Sequence, residues 1–255
     1  MLELDRIYNM DCIEGMKQIP SHSIDLILCD LPYGVTSRNV WDVVISFDLL
    51  WKQYIRIMEK NSNLVFTSRQ PFTTMLIDSN KKLFKYTMVW KKNMKTGNLN
   101  ARKRPMVGFE DIVVFYNGSS TYNPQKIIRT NQIKSGNKFN SKTSNYGIQK
   151  DKYIDRQSNL LMPNDVIEIN CVHNTNKLHP TQKPLELFEY LVKTYSNEGD
   201  NVLDNCMGSG TTAVACKRLN RHFLGFEIDK KYYNISLKRL LNIPKRLDIW
   251  LETIN

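Results

Sequence analysis

The stretch Asp30-Leu31-Pro32-Tyr33 sets a carboxylate, a proline-stiffened carbonyl and an aromatic ring within four residues. Together these groups can hold one planar amino group. The Asp30 carboxylate accepts one hydrogen of an –NH2, the Leu31 carbonyl accepts the other, and Tyr33 offers its ring for stacking on the base that carries it. A turn or helix cap would also account for Asp30, so the chemistry has to be supported from elsewhere in the chain.

A second group lies far along the sequence. Gly208-x-Gly210-x-x-Ala213 sits within Cys206-Met207-Gly208-Ser209-Gly210-Thr211-Thr212. Glycine lets a backbone bend sharply and approach a ligand that a Cβ would exclude, and the helix amides beyond Gly210 favour a negative group. Glu227 comes 17 residues after Gly210, at the end of the next apolar run, where an acid can take both hydroxyls of a ribose. Turn and acid together suit an adenosine-containing cofactor, with NAD and S-adenosylmethionine both open at this point.

The elements that must position these groups alternate. The continuous apolar run 24–30 reads as a strand covered on both faces, and 63–68 reads as another. Helical spacing marks 47–59 and 72–80, while 85–92 and 109–117 form a later pair of strands, expected antiparallel. A helix over 183–196 carries Pro184 in its first turn. A strand, glycine turn and helix occupy 200–220, and a strand ending on Glu227 occupies 222–229. Strands alternating with helices predict an α/β fold.

Between Asn117 and about residue 178 the texture changes to Asn, Ser, Lys and Gly with interleaved aromatics, which packs little core of its own. The expected division is a catalytic domain of 1–116 and 179–255 with an insert at 117–178. Net charge is concentrated: residues 1–80 carry 7 bases and 10 acids, residues 81–150 carry 15 and 2. A basic segment in an otherwise near-neutral chain is the footprint of a polyanion. The candidate phosphate contacts are Lys91, Lys92, Lys95, Arg102, Lys103, Arg104, Lys126, Arg129, Lys134, Lys138 and Lys142.

Five scattered cysteines without a C-x-x-C pair argue against a disulfide framework or a structural zinc, so no metal is expected. No apolar run approaches the roughly 20 residues a membrane helix needs. The N-terminus lacks a signal-peptide layout, so the expected location is the cytoplasm.

The two motifs resemble those of the amino-methyltransferases of DNA, Asp/Asn/Ser-Pro-Pro-aromatic and Asp-Pro-Phe-x-Gly-Ser-Gly-Thr-Thr. The 30–33 motif precedes the 204–212 motif with the basic segment between them, an order similar to that of the β class of adenine-N6 and cytosine-N4 enzymes. Asn9-Met10-Asp11-Cys12 resembles the family's Gly-Asp-Cys segment, and His179-Pro180-Thr181-Gln182-Lys183-Pro184 its His-Pro-Thr-x-Lys-Pro segment. Two departures stand out: Leu31 replaces the first proline, and Asn205-Cys206 replaces Pro-Phe.

The resemblance implies a Rossmann-like, mostly parallel sheet of the class I methyltransferase type, circularly permuted, with the insert as target-recognition region. It implies S-adenosylmethionine as cofactor and S-adenosylhomocysteine as product. Asp11, Cys12, Asp30, Thr181, Lys183, Asp204, Cys206, Met207, Gly208, Ser209, Gly210, Thr211, Thr212, Glu227 and Ile228 form the implied cofactor site. Within it Asp11 and Cys12 approach the adenine, and Thr181 and Lys183 hold the methionine carboxylate. Asp11 equally suits a capping turn, and Thr181 and Lys183 equally suit capping of the 183–196 helix.

Asp30, Leu31, Pro32 and Tyr33 are the implied catalytic residues. Duplex DNA is the implied partner, with a homodimer and a companion restriction endonuclease left open. An Asp in first position resembles the N6-adenine members. Cytosine N4 is the alternative, and RNA or a protein glutamine a remoter one. A cytosine-C5 enzyme would need a nucleophilic Cys, usually after Pro, and the chain has no Pro-Cys.

Overall fold

The computed structural model describes residues 2–34, 42–128, 160–173, 175 and 177–243. The chain divides into a main unit, Met1–Asn123 with Asp165–Asn255, and a small unit, Pro124–Asn164. The division is narrower than the expected insert. Residues 117–123 belong to the main unit, where the Asn63 side chain donates to the Thr121 carbonyl and the Asn123 amide to the Thr194 carbonyl.

Along the main unit run β1 (Arg6–Tyr8), α1 (Cys12–Lys17), β2 (Ile24–Cys29), α2 (Phe47–Ile57), β3 (Met58–Ser68), α3 (Phe72–Ser79), β4 (Phe84–Thr96) and β5 (Val107–Tyr116). The small unit contributes β6 (Ile127–Ile128) and β7 (Leu160–Leu161), an antiparallel pair whose four apolar side chains stay exposed. The main unit then resumes with β8 (Val166–Glu168), α4 (Leu185–Tyr195), β9 (Asn201–Asp204), α5 (Thr211–Arg218), β10 (His222–Phe226) and α6 (Lys230–Leu241).

Among the described residues eight strands form one sheet in the order β1-β10-β9-β2-β3-β5-β4-β8. Every neighbouring pair is parallel except those of β5, which runs antiparallel to both β3 and β4. β5 alone therefore runs against the rest, and its first residues reach the edge where the other strands end. The expected pair 85–92 and 109–117 is this hairpin, lengthened at both strands. From β9 the chain crosses through α5 to β10 on one side; from β2 it crosses through α2 to β3 on the other. Between β9 and β2 the crossovers diverge, the place where open α/β sheets bind ligands.

Strand alternation assigns the core. Ile27, Cys29, Leu64, Phe66, Val113 and Phe115 face α1, α2 and α3, packing on Met16, Trp51, Tyr54 and Phe72. Leu26, Leu28, Val65, Ile112 and Val114 face the opposite layer, with Leu187, Leu191 and Tyr195 of α4 and Ala213 of α5. Both faces of β2 are thus covered, which is why its sequence reads as one apolar run. Full burial of a Leu or Ile side chain stabilises by about 1.5–3 kcal/mol, so β2 is a rigid mount. At its carboxyl end it presents Asp30.

Candidate active site

The carboxyl ends of β2, β9 and β10, the first turns of α1 and α5, and the segment before α4 enclose a cavity of about 1270 Å³. It is lined by Asp30, Leu31, Pro32 and Tyr33 on one side and by Gly208, Ser209, Glu227 and Ile228 on another. Two groups far apart in sequence therefore share one chamber.

Asp30 is held at both oxygens. Its Oδ1 accepts from the Tyr33 hydroxyl at 2.5 Å and from Thr67 Oγ1 at 2.5 Å; its Oδ2 accepts from Lys183 Nζ at 2.6 Å. The side chain keeps 22% exposure and lines the cavity. Among the described residues no donor takes the Leu31 carbonyl, and the Leu31 side chain is buried. Leucine in place of a proline has therefore put an apolar side chain into the core. Tyr33 packs its ring on Phe72 at 5.2 Å, and Lys183 Nζ lies 5.4 Å from the ring centroid. Burial and the Asp30 charge push the Tyr33 hydroxyl well above its ordinary range, so it remains a donor.

Behind Asp30 lies a buried charge chain. Lys183 Nζ is 3.3 Å from Glu110 Oε2, and Lys92 Nζ pairs with Glu110 Oε1. Two ammoniums and two carboxylates thus alternate. Burial would raise the Glu110 carboxyl, but the ammoniums of Lys183 and Lys92 outweigh it and hold the group low. Burial alone would lower Lys183, yet Asp30 and Glu110 hold it above its usual value. Antiparallel β5 makes this possible by carrying Glu110, near its start, opposite Trp90 of β4.

Lys92 accordingly leaves the set of expected phosphate contacts. Its side chain is buried because β4 alternates, with Met88, Trp90 and Lys92 turned inward and Lys91 and Lys95 outward. Lys91 pairs with Glu168 at 2.9 Å on the surface; Lys95, Arg102, Lys103, Arg104 and Lys126 are exposed. Arg129, Lys134, Lys138 and Lys142 lie outside the described residues.

The glycine turn is braced from three sides. Gly210 caps α5 with φ +82°, and a Cβ there would meet Ser236 Cβ at 2.8 Å, so both conformation and space demand glycine. Asp204 accepts from the Cys206 amide at 3.0 Å and from the Thr212 hydroxyl. Burial pushes its carboxyl up to about 6. Arg239 of α6 donates to the Ser209 carbonyl at 2.8 Å, to Ser209 Oγ at 3.0 Å and to Thr211 Oγ1 at 3.1 Å. Met207 is buried, its amide donating to the Phe226 carbonyl.

Glu227 Oε2 accepts from the Gly208 amide at 2.7 Å and Oε1 from the Asp229 amide at 2.8 Å. These bonds hold the acid against the turn. Ile228 beside it is 65% exposed on the cavity wall.

Asp11 is the N-cap of α1, accepting from the amides of Ile13 and Glu14, so the capping expectation describes its local role while it also lines the cavity. Cys12 and Cys206 interact through their thiols, and that contact first, then burial, pushes the Cys12 thiol up. Buried Cys29 is pushed up to about 12, chiefly by desolvation. Cys12 and Cys206 line the cavity, and Cys29 is fully buried in the core.

Thr181 donates through its amide to His179 Nδ1 at 3.2 Å, and its hydroxyl lies 3.0 Å from the same atom. Lys183 does not cap α4; Pro184 occupies the N-cap position. Sequence reasoning missed Glu110, Thr67, Arg239 and Tyr54, whose hydroxyl donates to buried Asn205 at 2.7 Å. Only for Lys92 did the sequence hold a usable signal, the period-two alternation of β4.

Comparison with known proteins gives concordant results. Residues 24–238 match the family model described as DNA methylase, of N6/N4 type. The chain is 29% identical over 248 residues to the Type II methyltransferase M.HpaI of Haemophilus parainfluenzae, covering 92% of this chain and 74% of that protein. It is 27% identical over 259 residues to the Type II methyltransferase M1.MboII of Moraxella bovis, covering 92% and 95%. Among solved structures, M1.HpyAVI in complex with SAM superposes with a TM-score of 0.62 at 24% identity, over 93% of this chain and 99% of that one. The cytosine-N4-specific PvuII DNA methyltransferase gives 0.68 at 15% identity, over 94% and 87%. These likenesses establish the mixed, mostly parallel methyltransferase sheet.

Proposed function

The chain belongs to the N6/N4 DNA methylase family, and from that premise we propose that it moves a methyl group from S-adenosylmethionine to N6 of an adenine turned out of duplex DNA. The observation that carries the reading is the Asp30 carboxylate on the cavity wall, held at both oxygens by Tyr33, Thr67 and Lys183 and still 22% exposed, next in sequence to Leu31 of the same wall. The adenine assignment rests on the aspartate itself, the first-position residue of the N6-adenine members. The order of the motifs, 30–33 before 204–212, supports the permuted arrangement of the β class. The Type II relatives favour a place beside a restriction endonuclease of the same site.

The cavity suits the cofactor by the chemistry of its walls. Glu227 stands at the end of β10 for a ribose, Ile228 gives an apolar surface for a purine, and Asp11 and Cys12 close the same end. A Cβ built on Gly208, at φ +54°, meets nothing within 4 Å, so the turn opens onto free space. Thr181 and Lys183 complete the opposite end, where a carboxylate would compete with Asp30 and Glu110 for the Lys183 ammonium. When bound, S-adenosylmethionine supplies an electrophilic methyl on a sulfonium.

The protein's own contribution is to prepare the amine. An exocyclic amine has its lone pair delocalised into the ring and is a poor nucleophile. Hydrogen bonds to Asp30 Oδ2 and the Leu31 carbonyl favour a tetrahedral nitrogen and localise the pair. Tyr33 and Thr67 fix Oδ1, so the carboxylate cannot rotate away, and positioning supplies much of the acceleration. Asp30 also stabilises the positive charge that develops on nitrogen.

The test is incubation with S-adenosylmethionine and unmethylated genomic DNA, followed by base-resolved detection. N6-methyladenine at one short motif is expected. N4-methylcytosine would transfer the reading to the cytosine-N4 enzymes, and unmodified DNA would overturn it.

A further inference from the structure

Between β4 and β5 the chain leaves the sheet and returns along the cavity, whose wall includes Lys95, Thr96, Gly97, Asn98 and Met106. From Lys91 to Gly108 the sequence holds six bases and no acid. The loop is not slack. Gly97, at φ +91°, opens a 3-10 turn over Asn98–Asn100, closed by the Asn100 amide to the Gly97 carbonyl at 3.0 Å and the Ala101 amide to the Asn98 carbonyl at 3.1 Å. A second turn comes directly after it, with the Lys103 and Arg104 amides both donating to the Asn100 carbonyl.

The first of these turns carries one outstanding side chain, that of Leu99 at its centre. Leu99 is 94% exposed, more than any other large apolar side chain among the described residues. Single exposed leucines are ordinary on protein surfaces. This one is distinguished by its setting: a hydrogen-bonded turn whose next few residues are Arg102, Lys103 and Arg104, directly after Gly97 and Asn98 of the cavity wall. A charged loop that carries an apolar tip matches a partner whose outside is anionic and whose interior is a stack of apolar faces. Duplex DNA has that construction, and proteins that open base steps do so with apolar wedges flanked by cations.

We propose that Leu99 is a positioning residue that enters the duplex and fills the gap left when the target base moves into the cavity. The inference rests on the DNA reading above and adds to it the element that holds the base out. Arg102, Lys103 and Arg104 grip phosphates on either side, while Leu99 occupies the vacated stack and slows the base's return. Its effect on rate is therefore on the fraction of DNA held in the extruded state. It does not act on the methyl transfer itself.

The experiment uses the full chain, S-adenosylmethionine and a duplex bearing the methylation site mapped on genomic DNA, in two forms: fully paired, or with an abasic position opposite the target base. Leu99→Ala should lose roughly tenfold or more in methylation rate on the paired duplex, comparable with part of a leucine side chain's burial. With the abasic opposite, where extrusion costs less, the variant should approach the wild type. Leu99→Met should restore most of the rate on both, and cofactor affinity should be unchanged throughout.

An unimpaired Leu99→Ala on the paired duplex, or an equal loss on both duplexes, overturns the wedge. Failure of the wild type itself on every duplex overturns the DNA reading, and the wedge with it.

Discussion

Lys183 Nζ sits 2.6 Å from Asp30 Oδ2 and 3.3 Å from Glu110 Oε2, so the catalytic-type carboxylate shares its counter-ion with an acid from a different strand. The side chains of Lys183 and Glu110 are only 7% and 12% exposed, which makes their charges dependent on each other. Glu110→Gln should leave Lys92 and Lys183 facing one remaining carboxylate. Breaking a buried pair costs on the order of 3 kcal/mol, read as a lowered midpoint in urea. The sharper readout is kinetic: Lys183 would draw closer to Asp30 and weaken it as an acceptor, lowering kcat more than it raises KM for S-adenosylmethionine. A variant with wild-type kcat and only reduced stability would show that Glu110 is structural alone.

The same chain of charges defines a pH window. The Glu110 carboxyl is lowered from 4.5, so its stabilisation is full above 4.5 and is lost as pH falls through its lower folded value. Lys183 is raised from 10.5, so its contribution is full below 10.5 and is lost as pH rises through its higher folded value. Between these limits Glu110 and Lys183 keep their charges, and the part of the stability curve removed by Glu110→Gln should be flat. A contribution that varied over the neutral range would contradict the charge assignment.

His179 is predicted to stay neutral far below the usual range. Burial lowers it from 6.5 to about 4, and Nδ1 accepts from Thr181, which a protonated ring could not do. The chain has four histidines, so the imidazole resonances can be assigned by His179→Gln. One should titrate near pH 4, the value to which burial lowers His179. Since the folded value is depressed, protonation favours the unfolded chain, and stability should decline as pH falls from 6.5 towards 4.

Arg239 reaches the cofactor end of the cavity only through others. It donates to Ser209 and Thr211 and touches no residue of the Asp30 group. Arg239→Met should therefore loosen the glycine turn, weakening S-adenosylmethionine binding about tenfold while kcat at saturating cofactor stays within about twofold. Calorimetric titration set against saturated turnover separates the two effects.

How much of this site is legible in the sequence depends on how local each contact is. The Asp30 stretch and the glycine turn can be read because a strand end and a strand-to-helix turn place their own side chains. Glu227 is legible from its spacing. Glu110 is not, because its partner Lys183 is far along the chain, and only the reversed direction of β5 brings the acid to the same edge. Thr67 is hidden in the same way, by the register of β3 against β2. Arg239 sits on a helix whose sequence reads as a polar surface, and its target is a turn 30 residues earlier. Tertiary pairing of charges has no periodicity to betray it.

Lys91 and Lys92 put that limit to a direct test. They are identical residues at adjacent positions, yet strand alternation sends Lys91 to the surface and Lys92 onto buried Glu110. Arg102, Lys103 and Arg104 are exposed on the β4–β5 loop. Each phosphate contact contributes roughly 0.9 to the slope of log K against log salt. Replacing Arg102, Lys103 and Arg104 together by alanine should lower that slope by about 2 to 3 and weaken binding to all duplexes alike. Lys92→Met should leave the slope unchanged while lowering stability, because the ammonium it removes is buried on Glu110. Fluorescence anisotropy with one labelled duplex across a salt series measures both, and a reduced slope for Lys92→Met would return Lys92 to the DNA surface.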